Sequence, residues 1–187
     1  MIEEPANRNQ LSEEPSRTLQ EVEGETFFDG VSLEKIANEV GTPTYIYSAK
    51  SFNKQFRELE KAFKRVDSKI FYSVKANSNV NIISLFNQLD SGFDIVSGGE
   101  LHRVIAAGAA PQAIIFSGVG KSVSEIDLAL KAGIDCFNIE SAPELDRIIE
   151  RSRVLGKKPD ISVRINPDID ALTHPYISTG LKENKFG

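Results

Sequence analysis

Five short apolar segments recur along this chain at nearly constant spacing, and that spacing restricts the fold more than any other feature. FYSVKA (71–76), GFDIVS (92–97), AIIFSG (113–118), CFNIES (136–141) and ISVRIN (161–166) begin 21, 21, 23 and 25 residues apart. Each interval holds one helix and two short loops, which is the rhythm of consecutive βα units and hence of a parallel α/β sheet. Ser97-Gly98-Gly99-Glu100, Ser122-Val123-Ser124-Glu125 and Ser141-Ala142-Pro143-Glu144 each fit a capping box at the start of the intervening helix. Gly108, Gly133 and Gly156 fall where those helices should stop. Upstream, SLEKIANEVG (32–41) and SAKSFNKQFRELEKAFKRV (48–66) read as two further helices around a short strand, TYIY (44–47).

The strands alternate where those of a doubly wound sheet would be apolar throughout. One face collects Tyr72 and Val74, Phe93 and Ile95, Ile114 and Phe116, Phe137 and Ile139, Val163 and Ile165. The other collects Ser73 and Lys75, Asp94, Ile115 and Ser117, Asn138 and Glu140, Arg164 and Asn166. With the apolar face on the helices, the polar face points inward, and polar groups converge toward the carboxyl ends of the strands. That arrangement predicts a (β/α)8 barrel of the TIM type, whose chemistry sits at that end. About five of eight βα units are present, so the expectation is the amino-terminal part of a longer barrel over residues 27–187.

Residues 1–26 carry seven acidic and two basic side chains and few large apolar ones. They are expected to be a disordered acidic tail. The remaining 161 residues hold twenty charges of each sign, so the net charge of −5 belongs to the tail. No charge excess suits nucleic acid, and no apolar run is long enough for a membrane span or a secretory signal. A single cysteine, Cys136, and two histidines exclude a disulfide framework and give no metal-ligand spacing. A cytoplasmic protein without metal is expected, with Cys136 in the core and His102 on the surface.

Lys75 carries the functional question, because lysine is rarely buried without a partner or a chemical task. It reads as a structural ion-pair partner of Asp94 or Glu140, as a side chain snorkelling to the barrel mouth, as an exposed residue on a misregistered strand, or as a nucleophilic amine. A buried lysine beside a second cation, such as Arg164, forms Schiff bases with carbonyls. Position alone leaves a Schiff-base aldolase and a pyridoxal phosphate enzyme equally open.

The segments GTPTYIY (41–47), FYSVKANSN (71–79), GFDIVSGGEL (92–101), FNIES (137–141), SVRINPDID (162–170) and HPYISTGLKENKFG (174–187) together closely resemble the amino-terminal half of the diaminopimelate decarboxylases. YSVKAN alone is similar to the wider alanine racemase-like group of pyridoxal phosphate barrels, which includes ornithine and arginine decarboxylases. HPYISTGLKENKFG is the narrower signature.

The resemblance implies pyridoxal 5'-phosphate as cofactor, Lys75 as the lysine that carries it, Asp94 in support of that lysine, and Arg164 beside the ring. It implies conversion of meso-2,6-diaminopimelate to L-lysine and carbon dioxide, the last step of lysine biosynthesis, by a homodimer of the complete protein. Asn77 and Ser97 are second-tier candidates that read equally well as turn and helix-cap residues, and His174 lies in a loop that the resemblance brings toward the site. Cys136 does not correspond to the family's catalytic cysteine. The family's phosphate-binding glycine loops and its ring-stacking histidine belong to later sequence, so these 187 residues alone are expected to bind cofactor weakly and to be inactive. A related ornithine-, arginine- or carboxylated-polyamine decarboxylase and a non-catalytic binding half-barrel are the competing readings.

Overall fold

The computed structural model describes residues 19–166, in two separate units, Met1–Phe63 and Lys64–Gly187. In the first, strands β1 (Leu19–Val22), β2 (Glu25–Phe28) and β3 (Val31–Ser32) form an antiparallel sheet in sequence order. Two-residue turns at Glu23-Gly24 and Asp29-Gly30 join them, with φ of 52° and 80° in one and 53° and 81° in the other. Positive φ at both central residues matches the turn to the right-handed strand twist, and Asp-Gly is a favoured pair for it.

Strand β1 corrects the expectation of a disordered tail over 1–26. Its four residues pair with β2, Leu19 opposite Phe28 and Val22 opposite Glu25, so backbone hydrogen bonds and a tight turn order a segment whose side chains remain exposed. Residues 1–18 lie outside the described residues.

Helix α1 (Leu33–Val40) lies against β2 and β3. Its N-cap, Ser32, accepts from the Lys35 amide. Helix α2 (Ala49–Phe63) starts at Ser48, whose Oγ accepts from the Ser51 amide at 2.9 Å and donates to Asp29. The intervening TYIY segment is not a strand. Its backbone joins no ladder among the described residues, and Tyr45 is 90% exposed.

The second unit is a five-stranded parallel sheet in the order β4 (Phe71–Ser73), β5 (Gly92–Ile95), β6 (Ile114–Phe116), β7 (Cys136–Ile139), β8 (Asp160–Val163). Helices α3 (Val80–Gln88), α4 (Gly98–Ala106), α5 (Val123–Ala132) and α6 (Ala142–Leu155) fill the four intervals. The strand order follows the sequence, as in the first five units of a (β/α)8 barrel, and each helix packs beside the next.

The alternation holds on β5, β6 and β7, whereas Val163 and Ile165, expected on the same apolar face, are exposed at the β8 edge. Phe93, Ile95, Ile114, Phe116, Phe137 and Ile139 are all buried, and Phe116 stacks on Phe137 of the neighbouring strand at 6.1 Å between ring centroids. Each such side chain contributes about 2 kcal/mol by leaving water. Asp94, Ile115, Ser117, Asn138 and Glu140 occupy the opposite, half-buried face.

The three predicted capping boxes resolve into three different structures. Ser122 and Glu125 make the complete reciprocal box. Ser97 accepts from the Glu100 amide, but Glu100 turns to the Val96 amide instead. Ser141 makes no side-chain cap, and Glu144 points inward. Helices α5 and α6 end at Gly133 and Gly156 as expected, both left-handed.

Candidate active site

The polar face at the carboxyl ends of the strands builds the site. Strand β4 stops at Ser73, and Val74–Ala76 form a single 3-10 turn. Val74 is fully buried while Lys75, next to it, is exposed. Lys75 therefore does not lie within a buried strand, as the sequence suggests. The chain tightens one residue past Ser73 and swings the lysine onto the turn. Among the described residues its amine has no hydrogen-bond or ion-pair partner, so the ion-pair readings with Asp94 and Glu140 fail.

Asp94 sits on β5 opposite Ser73 in the register. Its Oδ1 accepts from the Ser117 hydroxyl, and Ser117 Oγ in turn accepts from Asn138 Nδ2 at 2.8 Å. A hydroxyl has one proton to give. Asn138 donates into Ser117, which leaves the Ser117 proton for Asp94, and the chain Asn138–Ser117–Asp94 fixes the carboxylate across three strands. The backbone makes this possible, since the Ser117 amide donates to Ile95 O at 2.8 Å and continues the ladder past the end of β6. Ser73 Oγ, on the same face, is buried without a hydrogen-bond partner among the described residues.

Arg164 stands at the other end of the sheet. Its amide donates to Ile139 O at 2.9 Å, extending β8 by one rung, and its guanidinium lies 3.5 Å from Glu140 Oε2. The Glu140 side chain is 2% exposed, and its Oε1 accepts the Gly118 amide at 2.9 Å. Strands β4 and β8 are the two edges of the five, four spacings or roughly 19 Å apart along the sheet. Arg164 is thus a partner of Glu140 rather than the cation beside Lys75 that the sequence suggests.

The second-tier candidates divide. Asn77 Oδ1 accepts from the Asn79 amide, and Tyr72 donates its hydroxyl to Asn77 O, so Asn77 shapes the turn into α3. Ser97 is the α4 N-cap, His102 is exposed on α4, and His174 lies outside the described residues. Burial, with the charges of Asp135 and Asp160, pushes the Cys136 thiol up, which keeps it protonated and unreactive.

The buried lysine of this fold is Lys121, in the loop between β6 and α5. It pairs with Glu144 at 2.6 Å, with side chains 0% and 1% exposed. Sequence reasoning missed it, because a lysine in a Gly-Lys-Ser loop looks solvated and Glu144 looks like a cap. No three His, Cys, Asp or Glu side chains cluster as a metal site among the described residues.

An exposed amine, a fixed carboxylate and a hydroxyl without a partner among the described residues gather toward the β4 side of this end of the sheet, with the paired guanidinium of Arg164 at its far edge. The family profile described as pyridoxal-dependent decarboxylase, pyridoxal binding domain, matches residues 49–187. The chain belongs to this family.

Within it, the chain is 53% identical over 161 residues to a diaminopimelate decarboxylase of Neisseria meningitidis, covering 86% of this chain and 40% of the relative. It is 44% identical to that of Aquifex aeolicus over 178 residues, 95% of this chain and 42% of the relative. The crystal structure of the Helicobacter pylori diaminopimelate decarboxylase complexed with L-lysine is similar at TM-score 0.79 and 51% identity, over 82% of this chain and 39% of that one. The chain spans about 40% of the length of the curated relatives it matches.

The fold expectation is met by these decarboxylase structures and by the five parallel strands in barrel order, and pyridoxal phosphate is the family's cofactor.

Proposed function

We propose that this chain is the cofactor-carrying portion of a pyridoxal phosphate-dependent decarboxylase that converts meso-2,6-diaminopimelate to L-lysine and carbon dioxide. The observation that carries the reading is Lys75, an exposed amine without a partner among the described residues at the carboxyl end of β4, in a chain 53% identical to a diaminopimelate decarboxylase.

Lys75 would hold the cofactor by its amine, joining the cofactor's aldehyde carbon with the carbonyl oxygen leaving as water. Asp94, kept in one orientation by Ser117 and Asn138, supplies fixed negative charge on the same face. Arg164, drawn to Glu140, supplies the positive charge toward an anionic group. Bound cofactor supplies a sink for the electron pair left when the α-carboxylate departs. The protein residues bind and orient; Asn77 and Ser97 support the two turns, and His174 is retained as a candidate near the substrate. An amino-acid ligand fits the neighbouring structures, three of which are complexes with L-lysine. A homodimer and a cytoplasmic location complete the proposal.

The test uses the gene product that contains this chain. Pyridoxal phosphate is added, the mixture is treated with borohydride, and peptide mapping locates the modified residue. Modification at Lys75 and its loss in Lys75→Ala are expected; modification elsewhere, or none, overturns the assignment. Carbon dioxide release is then compared for diaminopimelate, ornithine, arginine and a carboxylated polyamine. Preference for any substrate but diaminopimelate shifts the reading to a related decarboxylase, and turnover of none shifts it to a binding module.

A further inference from the structure

The Lys121–Glu144 pair, itself buried, closes a ring of hydrogen bonds at the carboxyl ends of β6 and β7. Lys121 Nζ donates to Gly118 O at 2.8 Å, to Asn138 O at 2.8 Å and to Glu144 Oε1 at 2.6 Å, so all three ammonium protons are used. Glu144 Oε2 accepts the Glu140 amide at 2.8 Å. Glu140 Oε1 accepts the Gly118 amide at 2.9 Å, and its other oxygen faces Arg164. The ring thus fixes both polar groups of the Gly118 backbone and the Glu140 amide, within the two loops that leave β6 and β7.

A buried ion pair is weak evidence for stability, because apolar side chains of similar volume commonly serve as well or better. It gives fixed direction instead: a charged, fully bonded pair tolerates one geometry. Here α6 has an N-cap serine that makes no capping bond, while the glutamate three residues on is turned into the interior. The local helix end is left less well capped, and the loop that carries Glu140 is held.

We propose that Lys121 and Glu144 are positioning residues for the cofactor site, acting through the Gly118 and Glu140 backbone to hold the Glu140 carboxylate against Arg164. The inference rests on the proposed function for what Arg164 serves, but the ring itself does not depend on it.

The variants are Lys121→Met, Glu144→Leu and the pair together, made in the gene product that contains this chain. Each single change strands a buried charge and is expected to lower Tm sharply. The double variant removes both charges but leaves Gly118 O, Asn138 O and the Glu140 amide without these partners, so it is expected to melt above either single variant and below the unsubstituted protein. Its affinity for pyridoxal phosphate, read by absorbance titration, is expected to fall by on the order of tenfold, the lower end of what outer-layer partners contribute around bound metals. Its Gly118 and Glu140 amides are expected to exchange with deuterium faster than in the unsubstituted protein.

A double variant with unchanged cofactor affinity and unchanged exchange at those amides overturns the proposal. If the double variant does not fold, exchange in the unsubstituted protein decides: Gly118 and Glu140 amides as fast as those of Val119 and Gly120 overturn it, and marked protection upholds the ring. If the unsubstituted protein takes up no pyridoxal phosphate, the functional reading fails, and exchange alone judges the positioning ring.

Discussion

Arg151 on α6 grips Asp127 on α5 with two parallel hydrogen bonds, Nε to Oδ1 at 2.7 Å and Nη2 to Oδ2 at 2.8 Å. The fork matches the carboxylate point for point, and these bonds hold the Asp127 carboxyl below its usual range. A carboxyl whose folded value is depressed stabilises the fold above its unfolded value and loses that contribution as pH falls through the folded one. Asp127→Asn is therefore expected to lower Tm at pH 7, with the gap closing as pH drops below about 4. Melting curves of both proteins from pH 7 to 3 check this; a gap independent of pH would show that the ionised pair contributes nothing.

Glu125 ties two helix ends together. Its carboxylate accepts the Gly98 amide at 2.8 Å at the start of α4, and the Ser122 amide and hydroxyl at 3.0 and 2.7 Å at the start of α5. The backbone hydrogen bonds from Gly98 and Ser122 hold its carboxyl below the ordinary value. Glu125→Ala is expected to cost about 1–2 kcal/mol through the lost caps, and Glu125→Gln less. Urea midpoints at pH 7 measure both, and equal losses would refute the role of charge.

A methyl group on Gly92 would meet the Phe71 ring at 2.4 Å, where β4 and β5 stand in register. Gly92→Ala is expected to destabilise by about 1–3 kcal/mol through overpacking. Gly120 has open space around the same position, so Gly120→Ala should stay within about 0.5 kcal/mol. Similar losses at the two positions in denaturant titrations would contradict the close approach of β4 to β5.

The Ser73 hydroxyl is buried without a partner among the described residues. Ser73→Ala removes an unsatisfied polar group, so stability without ligand is expected to stay level or rise by up to about 1 kcal/mol. A Tm lowered by several degrees would mean that the hydroxyl is hydrogen-bonded after all.

Period-two alternation makes the sheet legible in the sequence. Phe93, Phe116 and Phe137 on one face and Asp94, Ser117 and Asn138 on the other follow directly from it, because strand side chains must take opposite sides. Its place at the end of an apolar strand pattern brought Lys75 forward, and the resemblance gave it a role. The strand pattern carried it one turn too far, since a 3-10 turn after Ser73 costs the apolar alternation nothing. The Ser-x-x-Glu spacing named three boxes, and only Ser122–Glu125 formed one in full. Spacing limits which groups can meet, while Glu144 also had Lys121 within reach from another strand's loop. The Asp29-Gly30 turn was readable and went unread, hidden beside a segment judged by composition alone.

The order of the parallel strands also bears on how the chain acquires its shape during synthesis. Paired residues lie 21 apart between β4 and β5, β5 and β6, and β6 and β7, and 24 apart between β7 and β8, as in Ser73 with Asp94 and Cys136 with Asp160. Within these five strands, none waits for a distant partner to join its predecessor. Each new βα unit leaving the ribosome finds its template already laid down immediately before it, so the sheet grows by addition at one edge. The entropy of loop closure is met in small, similar steps, and the growing edge, here β8 with Ile161 and Val163 exposed, is the place where a stalled or crowded chain would find the wrong neighbour.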